Sequence, residues 1–211
     1  MRYSCIIWDW NGTLADDLEA SLRSVNDTLS RRNMPTITVE QYHSYIDTPI
    51  IKFYEHLFDL DEVPMSVLSE EYQLGYRKYF TGLQEGAVEL LEKAKRRAIP
   101  QVILTSSNRE LIEKDTRDLG VREYFDDLLG ADDFRAASKI QRGIDWISKQ
   151  PFRPEDVVLV GDSLHDYESA EAMGTKCILV TMGHQAEKDL KKTGAPLVHS
   201  FEELGELLFE K

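Results

Sequence analysis

The sequence predicts an α/β fold, a parallel sheet with helices on both faces and an all-helical segment inserted early in the chain. Three observations carry that prediction. Apolar runs of strand length recur at residues 3–8, 102–104, 157–160 and 177–180. From about residue 87 onward such runs alternate with amphipathic stretches, the pattern of strands buried on both faces and joined by crossover helices. The first run is cut off from the second by a long stretch that reads as helix throughout.

These observations place the α/β core at residues 1–15 and 82–211 and a helical cap at 16–81. Within the cap, Thr38-Val39-Glu40-Gln41 resembles a capping box, and Pro49 and Pro64 punctuate the helices. Tyrosines 42, 45, 54, 72, 76 and 79 recur at spacings that put several on shared helix faces, and they are expected to pack the segment's own interior. Gly82 and Gly86 suit a hinge or tight turn where the chain returns to the core. A segment tethered at both ends beside the carboxyl end of the first strand overlies the crevice where open α/β sheets bind ligands, so a lid is expected.

Composition narrows the function. The 211 residues, 42% hydrophobic, suffice for one sizeable core. No run approaches the roughly 20 apolar residues that cross a bilayer, and the first residues lack signal-peptide design, so a cytoplasmic protein with no membrane partner is expected. Cys5 and Cys177 sit inside apolar runs and are expected to pack as small hydrophobes. With 38 acidic against 25 basic residues the net charge is −13, which disfavours nucleic acid as a partner. An anionic ligand must then be held by local positive charge, a metal or backbone amides.

Four pieces fall at carboxyl ends of expected strands. Asp9 ends the first, followed by Gly12 and Thr13, whose turn amides can cradle an anion. Thr105-Ser106-Ser107-Asn108 offers hydroxyls and amides at a helix start. Lys139 follows Ser138, a candidate N-cap, and Gly161-Asp162-Ser163-Leu164-His165-Asp166 ends the strand at 157–160. Taken singly, each is an ordinary turn former, cap or surface charge. Together at one sheet edge they supply a carboxylate nucleophile, hard oxygen ligands for Mg²⁺, a cation and neutral donors for a phosphoryl group.

Asp9-Trp10-Asn11-Gly12-Thr13-Leu14 and Gly161-Asp162-Ser163-Leu164-His165-Asp166 resemble the two acidic motifs of the haloacid dehalogenase superfamily. Within it, the chain is similar to phosphatases related to phosphoglycolate phosphatase and β-phosphoglucomutase, and the likeness spans essentially its whole length. The resemblance implies a Rossmann-like core and a Mg²⁺-dependent phosphohydrolase acting on a small phosphorylated metabolite. It implies that Asp9 attacks phosphorus and that Asp9, the backbone carbonyl of Asn11, Asp162 and Asp166 serve the metal. Thr105, the Ser106 amide and Lys139 would neutralise the phosphoryl oxygens. Lys139 is preferred over Arg142 and Lys149 because it opens a helix shortly after Asp132-Asp133, although Ile140 stands where the family usually has proline. Receiver domains of signalling systems use similar residue types, but without a helical segment interrupting the chain after the aspartate.

Asn11 departs from the family pattern. The relatives usually carry there an aspartic acid that protonates the leaving oxygen, a contribution worth roughly 10²–10⁴ in rate. An amide cannot exchange a proton near neutral pH. Three readings follow: a phosphatase in which a water, His165 or a cap residue replaces the acid; a relative with different chemistry, such as phosphotransfer or phosphonate cleavage; or a phosphate-binding regulatory protein. The first is preferred because the other pieces are present, and it predicts faster turnover of alkyl phosphates in Asn11→Asp. His165 reads as a loop histidine and His184 as a residue bordering the pocket, neither expected to be catalytic. Substrate identity and oligomeric state are not legible in the residues.

Overall fold

The computed structural model describes residues 3–47, 49–131 and 138–209. Asp132 and Asp133, which helped to place Lys139, lie outside the described residues. Six strands form one all-parallel sheet: β1 (Cys5–Trp8), β2 (Gln101–Asn108), β3 (Asp127–Ala131), β4 (Val157–Gly161), β5 (Lys176–Val180) and β6 (Leu197–Val198). Their order is β3-β2-β1-β4-β5-β6. The order reverses at β1, so a crevice opens between β1 and β4 at their carboxyl ends.

Side-chain alternation explains how β1 holds two layers together. Ile6 and Trp8 point to one face and pack with Ile103, Val158 and Val160 against Leu90 and Leu91 of α5 (Ala87–Arg96) and Leu204 and Leu208 of α10 (Phe201–Phe209). Cys5 and Ile7 point to the other face, packing with Val102, Leu104 and Leu159 against Ile147 of α7 (Lys139–Ile147) and Met173 of α8 (Leu164–Met173). β1 and β4 are buried along their whole length, and each such aliphatic side chain withdrawn from water contributes about 1.5–3 kcal/mol. The single polar atom of Trp8 is satisfied inside this layer, its Nε1 donating to Gln101 Oε1 at 3.1 Å.

Between β1 and α5 run four helices: α1 (Leu18–Arg31), α2 (Val39–Tyr45), α3 (Ile51–Glu55) and α4 (Met65–Tyr79). They share an apolar cluster of their own, including Val25, Leu29, Tyr42, Phe53, Tyr54, Phe58 and Leu68. The expected capping box opens α2: Thr38 Oγ1 accepts from the Gln41 amide and Gln41 Oε1 from the Thr38 amide. The two connections to the sheet run side by side, with Asp16 N donating to Gly82 O at 3.0 Å and Gln84 N to Leu14 O at 2.9 Å.

Cys5 is buried and Cys177 half-buried, both as free thiols. The remaining elements are α6 (Arg109–Asp118) after β2 and α9 (Glu187–Leu190) after β5. No helix among the described residues is long and apolar enough to cross a membrane.

Candidate active site

The four pieces marked in the sequence meet at the β1/β4 crevice. Asp9 leaves β1 with its amide still donating to Val160 O of β4 at 2.8 Å, which fixes the carboxylate at the sheet edge. Asp162 follows β4, and Ser163 caps α8 in a reciprocal box with Asp166. That box consumes one oxygen of Asp166: Oδ2 accepts from Ser163 Oγ at 2.6 Å, Ser163 N at 3.0 Å and Asp162 N at 3.2 Å. The other, Oδ1, accepts from Lys139 Nζ at 2.5 Å, and the same ammonium donates to Asp9 Oδ1. Lys139 is the first residue of α7, whose Ser138 N-cap accepts from Gln141 N at 3.2 Å.

Charge in this cluster does not balance. Asp9, Asp162 and Asp166 are all buried, with ligand oxygens within 4.8 Å of one another, and Lys139 pairs with only two of them, Asp9 and Asp166. Burial pushes the Asp9 carboxyl well above its ordinary range, a push that Lys139 opposes and the neighbouring carboxylates reinforce. Burial likewise raises Asp162 to about 6, against the pull of His184. Such groups call for further positive charge. An all-oxygen carboxylate set suits a hard divalent cation, so these residues fit a metal on their own chemistry.

A second layer surrounds Asn11. Asp17, fully buried, receives two donors on each oxygen: Gly12 N at 2.6 Å and His184 Nε2 at 3.0 Å on Oδ1, Asn11 Nδ2 at 2.6 Å and Tyr76 OH at 2.9 Å on Oδ2. Burial opposes ionisation of Asp17, but His184 and the surrounding donors prevail and lower its pKa. Burial also disfavours the His184 cation, yet Asp17 foremost among the nearby acids raises it to about 9. His184 Nδ1 lies 3.0 Å from Tyr42 OH, and its backbone amide donates to Asp162 Oδ2 at 2.6 Å. The helices α2 and α4 thus reach the sheet edge through Tyr42 and Tyr76.

This packing needs two glycines. Gly12 adopts φ 70, and a Cβ there would fall on the Asp162 carboxylate and the His184 ring. A Cβ at Gly183 would also fall on Asp162.

The other marked residues are placed as follows. Thr105 is buried within β2, three residues before its end; its Oγ1 accepts from Ser107 N at 3.1 Å and its carbonyl from Arg142 Nη2 at 2.7 Å. Ser106 is exposed beside it. Thr13 Oγ1 donates to Asp162 Oδ1 at 3.3 Å, and the Gly12 amide, offered to an anion in the sequence reading, is turned to Asp17. Lys149 lies exposed past the end of α7, away from the cluster that Lys139 enters. His165 Nδ1 faces Glu168 at 3.5 Å.

Sequence reasoning missed Asp17; it marked Ser107 among the hydroxyls at the sheet edge but not its bond to Asn11, where Oγ donates to Oδ1 at 2.6 Å, and it gave Tyr42 and Tyr76 a packing role alone. Tyr42 packs in the segment's cluster and Tyr76 against Tyr72 and Phe80, but their hydroxyls turn to His184 and Asp17. Asp17 stands just before α1, where an aspartate has an ordinary reading as a helix cap, so its type and place carried no signal.

Comparison with known proteins identifies the family and the fold. A family model described as haloacid dehalogenase-like hydrolase matches residues 6–180. A 5'-nucleotidase from Pseudomonas aeruginosa is 25% identical over 197 residues, covering 90% of this chain and 88% of its own. A phosphoglycolate phosphatase from Neisseria gonorrhoeae is 29% identical over 201 residues, covering 85% and 80%. Among solved structures, a predicted phosphatase from Clostridium acetobutylicum shares the fold with a TM-score of 0.82 at 22% identity, each chain covered in full. A haloacid dehalogenase-like hydrolase from Streptococcus pneumoniae does so with a TM-score of 0.83 at 19% identity, covering 98% of this chain and 99% of its own. With the family model spanning the sheet from β1 to β5 and both acidic motifs, the chain belongs to the haloacid dehalogenase-like hydrolase family.

Proposed function

We propose that the protein is a Mg²⁺-dependent phosphatase that hydrolyses a small phosphorylated metabolite through an aspartyl-phosphate on Asp9. The observation that carries this reading is the buried convergence of Asp9, Asp162 and Asp166 with Lys139 at the switch point of the sheet. Relatives named for phosphoglycolate and 5'-nucleotide hydrolysis support a phosphomonoester substrate.

The residues divide the work by position. Asp9 forms the bond to phosphorus as the leaving oxygen departs, and water then cleaves the resulting acyl phosphate. Lys139 holds Asp9 in its attacking orientation and offsets negative charge on the phosphoryl oxygens, while Asp166 keeps the ammonium in place. The Thr105 hydroxyl and the Ser106 amide donate to the same oxygens. Asp9, Asp162, Asp166 and the Asn11 backbone carbonyl would hold Mg²⁺, which when bound supplies Lewis-acid polarisation of a phosphoryl oxygen. The helices α1 to α4 act as the cap that selects the substrate, and we assign the protein to the cytoplasm, with no nucleic acid or membrane partner.

The test is phosphate release from an aryl phosphate and from a panel including phosphoglycolate and nucleoside 5'-monophosphates, with and without Mg²⁺. Turnover that needs Mg²⁺ and falls by roughly 10³-fold or more in Asp9→Asn is expected. A flat panel overturns the reading. A flat panel with Mg²⁺-dependent vanadate binding favours instead a phosphate-binding regulatory protein, the reading that Asn11 supports.

A further inference from the structure

Asp17 occupies the N-cap position of α1 but makes no side-chain bond to that helix. Its carboxylate turns back onto the loop that follows the nucleophile, where four donors fill both oxygens. A buried carboxylate filled in this way has its acceptor sites taken up and, being acceptor-only when ionised, offers nothing to a second acceptor. The amide of Asn11 is fixed from both ends, since Ser107 Oγ donates to its Oδ1 and its Nδ2 must donate to Asp17. The orientation of the amide follows from these partners and from no other consideration.

We infer that Asp17 is a positioning residue that makes an amide obligatory at position 11, so that the carboxylate beside the nucleophile loop is carried by residue 17 and Asn11 is its matched donor. An aspartate at position 11 sets an acceptor against an acceptor across 2.6 Å, with the Asp17 carboxylate fully buried. The loop bearing Asp9 then keeps only the Gly12 amide on Asp17 and loses the side-chain half of its anchor. The geometry therefore reverses the outcome expected from sequence for Asn11→Asp, which becomes a damaging change. The inference rests on the reading of Asp9 as the nucleophile only where turnover is the readout.

The test is an exchange cycle of Asn11→Asp, Asp17→Asn and the double variant, followed by thermal unfolding in EDTA and by kcat and KM for aryl phosphate with Mg²⁺. In the double variant the pair is inverted: the amide placed at position 17 can donate to the carboxylate placed at position 11, while the amide's oxygen still accepts from Gly12 and His184. Each single change is expected to lower the melting temperature and to reduce kcat at least tenfold with a smaller effect on KM. The double exchange is expected to recover most of both losses, which deletion of a merely structural contact would not do. If a single variant fails to fold, folding of the double variant supports the pairing and its failure to fold overturns it. Asn11→Asp at wild-type stability and rate, or a double variant no better than the worse single one, also overturns it. The unfolding cycle reads the pair without any turnover, so a flat substrate panel beside an intact cycle separates failure of the phosphatase reading from failure of this one.

Discussion

Lys139 brings one positive charge among three buried carboxylates, and that imbalance sets what its removal does. Lys139→Ala strips the counter-charge from Asp9 and Asp166 together, and breaking a buried pair of this kind costs about 3–5 kcal/mol. Urea unfolding in EDTA is expected to show that loss, and added Mg²⁺ to reduce it. His184 responds to pH with a defined sign. Its folded-state pKa of about 9 lies above the ordinary 6.5, so its contribution is complete below 6.5 and is lost as pH rises toward 9. The shift corresponds to a contribution on the order of 3 kcal/mol. Stability of His184→Gln, measured from pH 6 to pH 10, is expected to lack the decline that the wild type shows in that window. Residues at this scale were unevenly legible. Asp9, Lys139, Asp162 and Asp166 could be read because each ends a strand or opens a helix, whereas Asp17 could not, because its importance lies in contacts to residues 11, 12, 76 and 184 that no local pattern encodes.

Among the elements, the strands that are apolar on both faces were visible in the sequence and the edge strands were not. β4 is continuous Val157-Val158-Leu159-Val160 because helices cover both its sides. β3 alternates half-buried with buried residues, and β6 is two residues long, so neither leaves a run to detect. β2 extends through Asn108, past the apolar residues that announced it, because its final residues are polar groups serving the site. The loop between β5 and α9 packs its backbone directly against Asp162 at Gly183. Gly183→Ala forces Asp162 from its place, and loss of Mg²⁺ affinity by at least tenfold, measured calorimetrically, is expected with the sheet intact by circular dichroism. Thr38→Ala removes one half of the capping box of α2 at a cost of about 1 kcal/mol, read as a lower melting temperature.

At the scale of the whole molecule, a chain of net charge −13 concentrates three carboxylates at the point where it is proposed to receive an anion. Metal and substrate should therefore depend on each other. Removal of Mg²⁺ is expected to lower the melting temperature above pH 6, where Asp162 would otherwise ionise in a buried acidic cluster, and to do so less at pH 5. The sheet and the four-helix segment differ in apolar periodicity, which the sequence shows; the contacts between them, through Tyr42 on His184, His43 on Gly183 and Tyr76 on Asn11, leave no such trace. The paired connections at Leu14–Gln84 and Asp16–Gly82 have a consequence of another kind. Because Ala15 and Leu83 are bridge partners, the chain leaves the sheet and re-enters it at one point. The fold is thus built like a socket: the covalent join of the helical segment is one seam, and beyond it the segment meets the sheet edge through tyrosine and histidine side chains on the loops that carry Asn11 and His184.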